Sequence, residues 1–102
     1  YTDSFIETDL DNLFTNIERS GAKCLFVSMP DTRDERIASR QAQIIEISKT
    51  AAQGRCSFFD STTVTKYPDE GGDGIHYSGS EELDAISTTW AEAVFKEFSK
   101  QL

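Results

Sequence analysis

The single histidine of this sequence, His76, stands three residues after an aspartate in the run Asp73-Gly74-Ile75-His76. Histidine is the side chain whose unperturbed pKa lies nearest neutrality, which makes it the usual proton shuttle. A carboxylate at close range fixes its tautomer and stabilises its protonated form, as in a hydrolase triad. Asp73 and His76 are therefore the candidate catalytic acid and base. The bland reading is a D-x-x-H that arises by chance, with Asp73 simply a turn residue.

The nucleophile that such a pair would activate is not evident. Ser28 ends an apolar run, but a serine at the end of a strand is usually structural. Ser4, in Asp3-Ser4-Phe5, reads as a helix cap. Asp60 reads as the cap of its own loop with Ser61. Tyr77, beside His76, either faces a substrate or belongs to the packing, and Trp90 falls on an apolar helix face. Cys24 and Cys56 each follow a basic residue and open an apolar run. They read first as two buried free thiols, with a disulfide as the alternative if neighbouring parallel strands bring them together. One histidine and no CxxC leave no metal-ligand pattern, and the chemistry needs no cofactor.

These residues need a frame. Ser4-x-x-Glu7 and Thr8-x-x-Asp11 are capping-box patterns, and Ile6, Leu10, Leu13, Phe14 and Ile17 recur at helical spacing up to Gly21. Residues 22–29, bounded by Gly21 and Pro30, predict a strand buried on both faces, the habit of parallel sheets. A second helix is predicted from about Arg33 to Gln53, with Ile37, Ala38, Ala42, Ile44, Ile45 and Ala52 as its stripe. Cys56-Ser57-Phe58-Phe59 predicts a second strand, and 61–75 a long loop with glycines at 71, 72 and 74. The last helix is predicted to start near Ser78, with Leu83, Ile86, Trp90, Val94 and Phe98 on its inner face. Alternating helix and strand argue an α/β layered fold with a parallel sheet. Two strands leave two unpaired edges, so residues 1–102 are expected to form the C-terminal half of a larger α/β domain, or to pair with another chain.

The totals narrow the partners. Ten Lys and Arg against eighteen Asp and Glu give a formal net charge of −8, which argues against nucleic acid and anionic membranes. No apolar run reaches the roughly 20 residues of a membrane span. No signal peptide is visible at Tyr1-Thr2-Asp3-Ser4. A mature secreted chain would look the same, so the compartment stays open.

The run Asp73-Gly74-Ile75-His76-Tyr77-Ser78, followed by a C-terminal amphipathic helix, resembles the closing D-x-x-H signature of the SGNH (GDSL-type) hydrolases. Upstream, Thr8-Asp9-Leu10-Asp11-Asn12-Leu13, Gly21-Ala22-Lys23 and Met29-Pro30 resemble the stretch after the family's G-x-N-D motif, and Phe58-Phe59-Asp60 its last strand. The resemblance implies a three-layer, flavodoxin-like α/β/α fold and hydrolysis of esters by a serine nucleophile. His76 would match the catalytic base and Asp73 the acid that orients it. The family's G-D-S and G-x-N-D motifs have no convincing match here, and Tyr1 would fall just after the second. The serine and the oxyanion donors are therefore expected in an N-terminal half, in cis or as a second chain. The implied substrate is an acetylated carbohydrate or another small ester. The alternative is a non-catalytic α/β binding or interaction module with a vestigial Asp–His pair.

Overall fold

A computed structural model describes residues 2–102. The expectation placed on Tyr1 lies outside the described residues. The element order is α1 (Asp3–Ser20), β1 (Leu25–Val27), α2 (Glu35–Ala52), β2 (Ser57–Phe59), a single 3-10 turn (Ser61–Thr63) and α3 (Glu81–Ser99). The chain is thus a small mixed α/β protein with three helices and a two-stranded parallel sheet.

Each helix is capped by a side chain that accepts from an otherwise unpaired N–H. Thr2 caps α1, accepting from Phe5 N, and Asp34 caps α2, accepting from Arg36 N and Ile37 N. Ser80 caps α3, accepting from Leu83 N at 3.1 Å. These caps correct two sequence readings. Ser4 lies inside the first turn of α1 rather than capping it, and Ser80, not Ser78, opens α3. In both places the true cap sits two residues from the expected one. Gly21 ends α1 as expected, in the left-handed conformation (φ 72°) that glycine adopts without penalty.

β1 and β2 pair in the register Leu25↔Ser57, Phe26↔Phe58, Val27↔Phe59. Carried one residue back, that register sets Cys24 beside Cys56, and the two form a disulfide with Cα atoms 4.8 Å apart. This overturns the leading expectation of free thiols. The cysteines are only half-buried, and parallel pairing makes them immediate neighbours. The strands are shorter than expected, and β1 is half-buried rather than fully covered, because only two strands share the sheet.

Helices lie against both faces of this pair. Phe14 of α1, fully buried, meets Phe26 edge-on at 5.7 Å, and Phe26 stacks on Phe58 at 5.8 Å. Leu25 and Val27 alternate to the opposite face, where they line a groove of about 540 Å³ with Trp90, Val94 and Phe98 of α3. Phe95, on the rim, is 71% exposed. The inward face of α2 is rotated from the expected stripe. Gln41, Ile45, Ser48 and Ala52 are buried, whereas Ala38 and Ala42 are exposed. The buried polar groups are satisfied locally: Gln41 Nε2 donates to the Pro30 carbonyl and Ser48 Oγ to Ile44 O.

The Ser57 N–H donates to Cys24 O and the Ser28 N–H to Phe59 O, each at 3.0 Å. Residues 24, 26 and 28 therefore address β2, and the peptide groups of Leu25 and Val27 face the other edge of β1. Among the described residues no further strand pairs there. No helix among them is long and apolar enough to cross a membrane.

The disulfide closes a segment with a sequence separation of 32. In the chain-entropy account such a cross-link contributes about 3–4 kcal/mol by restricting the unfolded chain. Urea unfolding followed with and without a reductant is expected to show a loss of that size. Equal midpoints in both conditions would contradict the cross-link's role.

Candidate active site

Both strands run in the same direction, so the segments that follow them, 28–34 and 60–80, emerge at one end of the sheet. That C-terminal edge is where ligands bind in open α/β sheets. A chain of polar contacts ties the two segments together there. Ser28 Oγ, buried, accepts from Ser61 N at 2.9 Å, and Ser61 Oγ accepts from Trp90 Nε1 at 2.9 Å. Thr65 Oγ1 donates to Ser61 O and accepts from Asp31 N. Asp31 Oδ2 in turn accepts from Tyr67 N at 2.7 Å. Asp60 caps the 3-10 turn, accepting from both Thr62 N and Thr62 Oγ1. Ser28 and Asp60 are thus occupied structurally, as the sequence suggested, and Ser28 is not placed as a nucleophile.

This scaffold carries the Asp73–His76 turn. Asp73 uses both carboxylate oxygens. Oδ1 accepts from Ile75 N and His76 N, each at 2.8 Å, and Oδ2 meets His76 Nδ1 at 2.5 Å. The hydrogen bond to the imidazole, followed by the two backbone N–H bonds, holds the Asp73 carboxyl far below its ordinary value of 3.8. An ionised carboxylate can only accept, so Nδ1 carries the ring proton. In the neutral form of such a ring Nε2 holds the lone pair, the state a general base requires. The structure therefore brings the two expected residues together, and the same carboxylate also makes the turn.

The aromatic residues around the turn brace it. Tyr67, 2% exposed, donates its hydroxyl to His76 O at 2.9 Å. Tyr77 donates to Asp31 O at 2.5 Å and packs against Tyr67 and Trp90, with ring centroids 5.1 and 6.0 Å away. Of the two readings open for Tyr77, packing is the one realised. Burial pushes its phenol above the usual value, so it remains a donor. Gly72 approaches so closely that a Cβ there would strike the Tyr67 hydroxyl, and its φ of +64° also favours glycine.

The pair is open to solvent: the side chains of His76 and Asp73 are 76% and 53% exposed. Among the described residues, His76 Nε2 has no hydrogen-bond partner, so no hydroxyl is held against it. Two sizeable grooves lie away from the imidazole, one between α1 and α2 bordered by Glu7, Glu46 and Arg55, the other beside α3. No group of three or more His, Cys, Asp and Glu among the described residues is placed to hold a metal ion. The sequence reading missed Asp31 and Tyr67 as anchors. Asp31 had a visible signal, an acid immediately after a strand and its proline, whereas Tyr67 sits in a loop with no periodicity to mark it.

Comparison of the chain with family models, with curated proteins and with solved structures gives no match in any of the three.

Two outcomes follow from this geometry. An Asp73 carboxyl with a depressed pKa contributes to the turn above its unfolded value of 3.8, and that contribution is lost as pH falls through the folded value. Carboxyl 13C titration is expected to give Asp73 a midpoint well below 3.8, and an ordinary midpoint would contradict the bonding described. Separately, Gly72→Ala is expected to cost about 1–3 kcal/mol in urea unfolding by displacing Tyr67. An unchanged midpoint would show that the Tyr67 contact is dispensable.

Proposed function

We propose that this chain carries the base-bearing half of a serine ester hydrolase of the SGNH type, acting on an acetylated carbohydrate or another small ester. The observation that carries this reading is the Asp73 carboxylate on His76 Nδ1, which leaves Nε2 as the base. Its position after a parallel pair, just ahead of the last helix, agrees with the resemblance noted in the sequence.

The domain in this reading is a three-layer α/β/α sandwich of flavodoxin-like topology, of which these residues form the C-terminal half. The unpaired edge of β1 and the apolar groove of Leu25, Val27 and α3 support it, because a further parallel strand laid beside β1 would use both. The N-terminal half, in cis or as a second chain, supplies the serine and the oxyanion donors. Bringing that half over the sheet edge would also cover the exposed imidazole. The Cys24–Cys56 disulfide suits an oxidising compartment.

The steps follow from the protonation state. His76 Nε2 accepts the proton of the serine hydroxyl as its oxygen attacks the ester carbonyl. Asp73 stabilises the imidazolium that forms. The imidazolium returns the proton to the leaving alkoxide, and the acyl group stays on the serine. Nε2 then takes a proton from water, whose oxygen attacks the acyl-serine, and the imidazolium gives that proton to the serine oxygen as the bond to the acyl group breaks and the acid product leaves. Donors from the other half stabilise the oxyanion at each stage.

A second reading is a non-catalytic binding or interaction module, favoured by the exposure of the imidazole. Turnover of a chromogenic acetyl ester by the complete assembly separates the two. His76→Ala is expected to abolish it, with losses of about a thousandfold or more. Activity retained in His76→Ala would overturn the hydrolase reading.

A further inference from the structure

The loop that presents Asp73 is built from residues that resist order on their own. Gly71, Gly72 and Gly74 all hold positive φ, and residues 69–73 are exposed. Such a segment loses much conformational entropy on folding and needs external anchors. Among the described residues, the hydrogen bonds that reach 68–74 from outside the 61–80 loop come from two neighbours, Thr32 and Arg33.

Arg33 supplies most of them. Its backbone N–H donates to Gly74 O at 2.9 Å, alongside the Thr32 hydroxyl at 2.8 Å. Its guanidinium reaches across the loop, with Nη1 on Pro68 O at 2.8 Å and Nη2 on Gly72 O at 3.2 Å. The same group lies over the Tyr67 ring, 5.2 Å from its centroid. A Cβ on Gly74 would stand 3.5 Å from Arg33 Cβ, so the side-chain stem also lies against the turn. Arg33 therefore grips the carbonyls on both sides of Asp73. It also stacks on the tyrosine whose hydroxyl holds His76 O. Yet Arg33 touches neither the carboxylate nor the imidazole in any of these bonds.

We propose that Arg33 is a positioning residue for the Asp73–His76 pair, fixing the peptides that flank Asp73 so that its carboxylate meets Nδ1. The catalytic consequence rests on the hydrolase reading of that pair. The planar fork explains the residue type. Two carbonyls and an aromatic face are served at once by a guanidinium, and an ammonium serves one carbonyl as a point charge.

His76 is the only histidine of residues 1–102, so in the complete assembly labelled with imidazole-15N histidine its ring spin system is the one absent from His76→Ala. The readout is the Nδ1–H cross-peak and its exchange with water at one fixed pH, in wild type, Arg33→Ala, Arg33→Lys and the control Arg19→Ala on the far end of α1. Arg33→Ala is expected to raise the exchange about tenfold, the scale of one lost hydrogen bond, with Arg19→Ala unchanged. Arg33→Lys is expected to recover only part of the protection. In ester turnover, Arg33→Ala is expected to lower kcat about tenfold to a hundredfold with little change in KM, the signature of a misplaced catalytic group. Unchanged Nδ1–H exchange in Arg33→Ala overturns the proposal whatever the activity. If that variant does not fold, unchanged exchange in Arg33→Lys overturns it. Raised exchange in an assembly whose turnover ignores His76→Ala supports the positioning role and overturns the hydrolase reading instead.

Discussion

The parallel pairing of β1 with β2 is the constraint on which the rest of this molecule hangs. It spans three residues in each strand, which is little to orient three helices. It is reinforced at both ends. The Cys24–Cys56 disulfide locks the register where the strands begin, and Ser28 Oγ takes the Ser61 N–H where they end. A slip of β2 by one residue would send Phe58 to the α3 side and separate the cysteines. Because the strands are parallel, both following loops leave at one edge, and the Asp73–His76 turn is assembled from their contacts.

At that edge one carboxylate serves two ends. Asp73 makes a tight turn through Oδ1 and fixes the imidazole through Oδ2. The turn reading and the acid–base reading, set against each other in the sequence, thus do not exclude one another, because the side chain that makes the turn also meets the imidazole. The turn sets the distance, and the distance sets the tautomer. Solvent around the pair weakens its electrostatics, which is why a covering half matters to the functional proposal.

Much of the frame was legible in the residues. The order of five elements, the parallel sheet and the Gly21 stop follow from periodicity and punctuation, which report local physics. What was not legible depends on neighbours. Thr2 and Ser80 cap their helices where Ser4 and Ser78 were expected, because several hydroxyls in a row satisfy the same pattern. The burial of Gln41 and Ser48 in place of Ala38 and Ala42 required knowing that the Pro30 carbonyl would meet Gln41. The disulfide required the register, which three-residue strands do not announce. Asp73 and His76 were readable because only two residues lie between them. Arg33 was not, since the carbonyls it holds lie 35 to 41 positions further along the chain.

The central claim is that this chain holds the base of an active site whose serine lies elsewhere in the assembly. Labelling of the complete assembly with a fluorophosphonate, followed by peptide mapping of the adduct, tests it most directly. One adduct is expected, on a serine outside residues 1–102. No adduct, or an adduct on a serine within these residues, would contradict it.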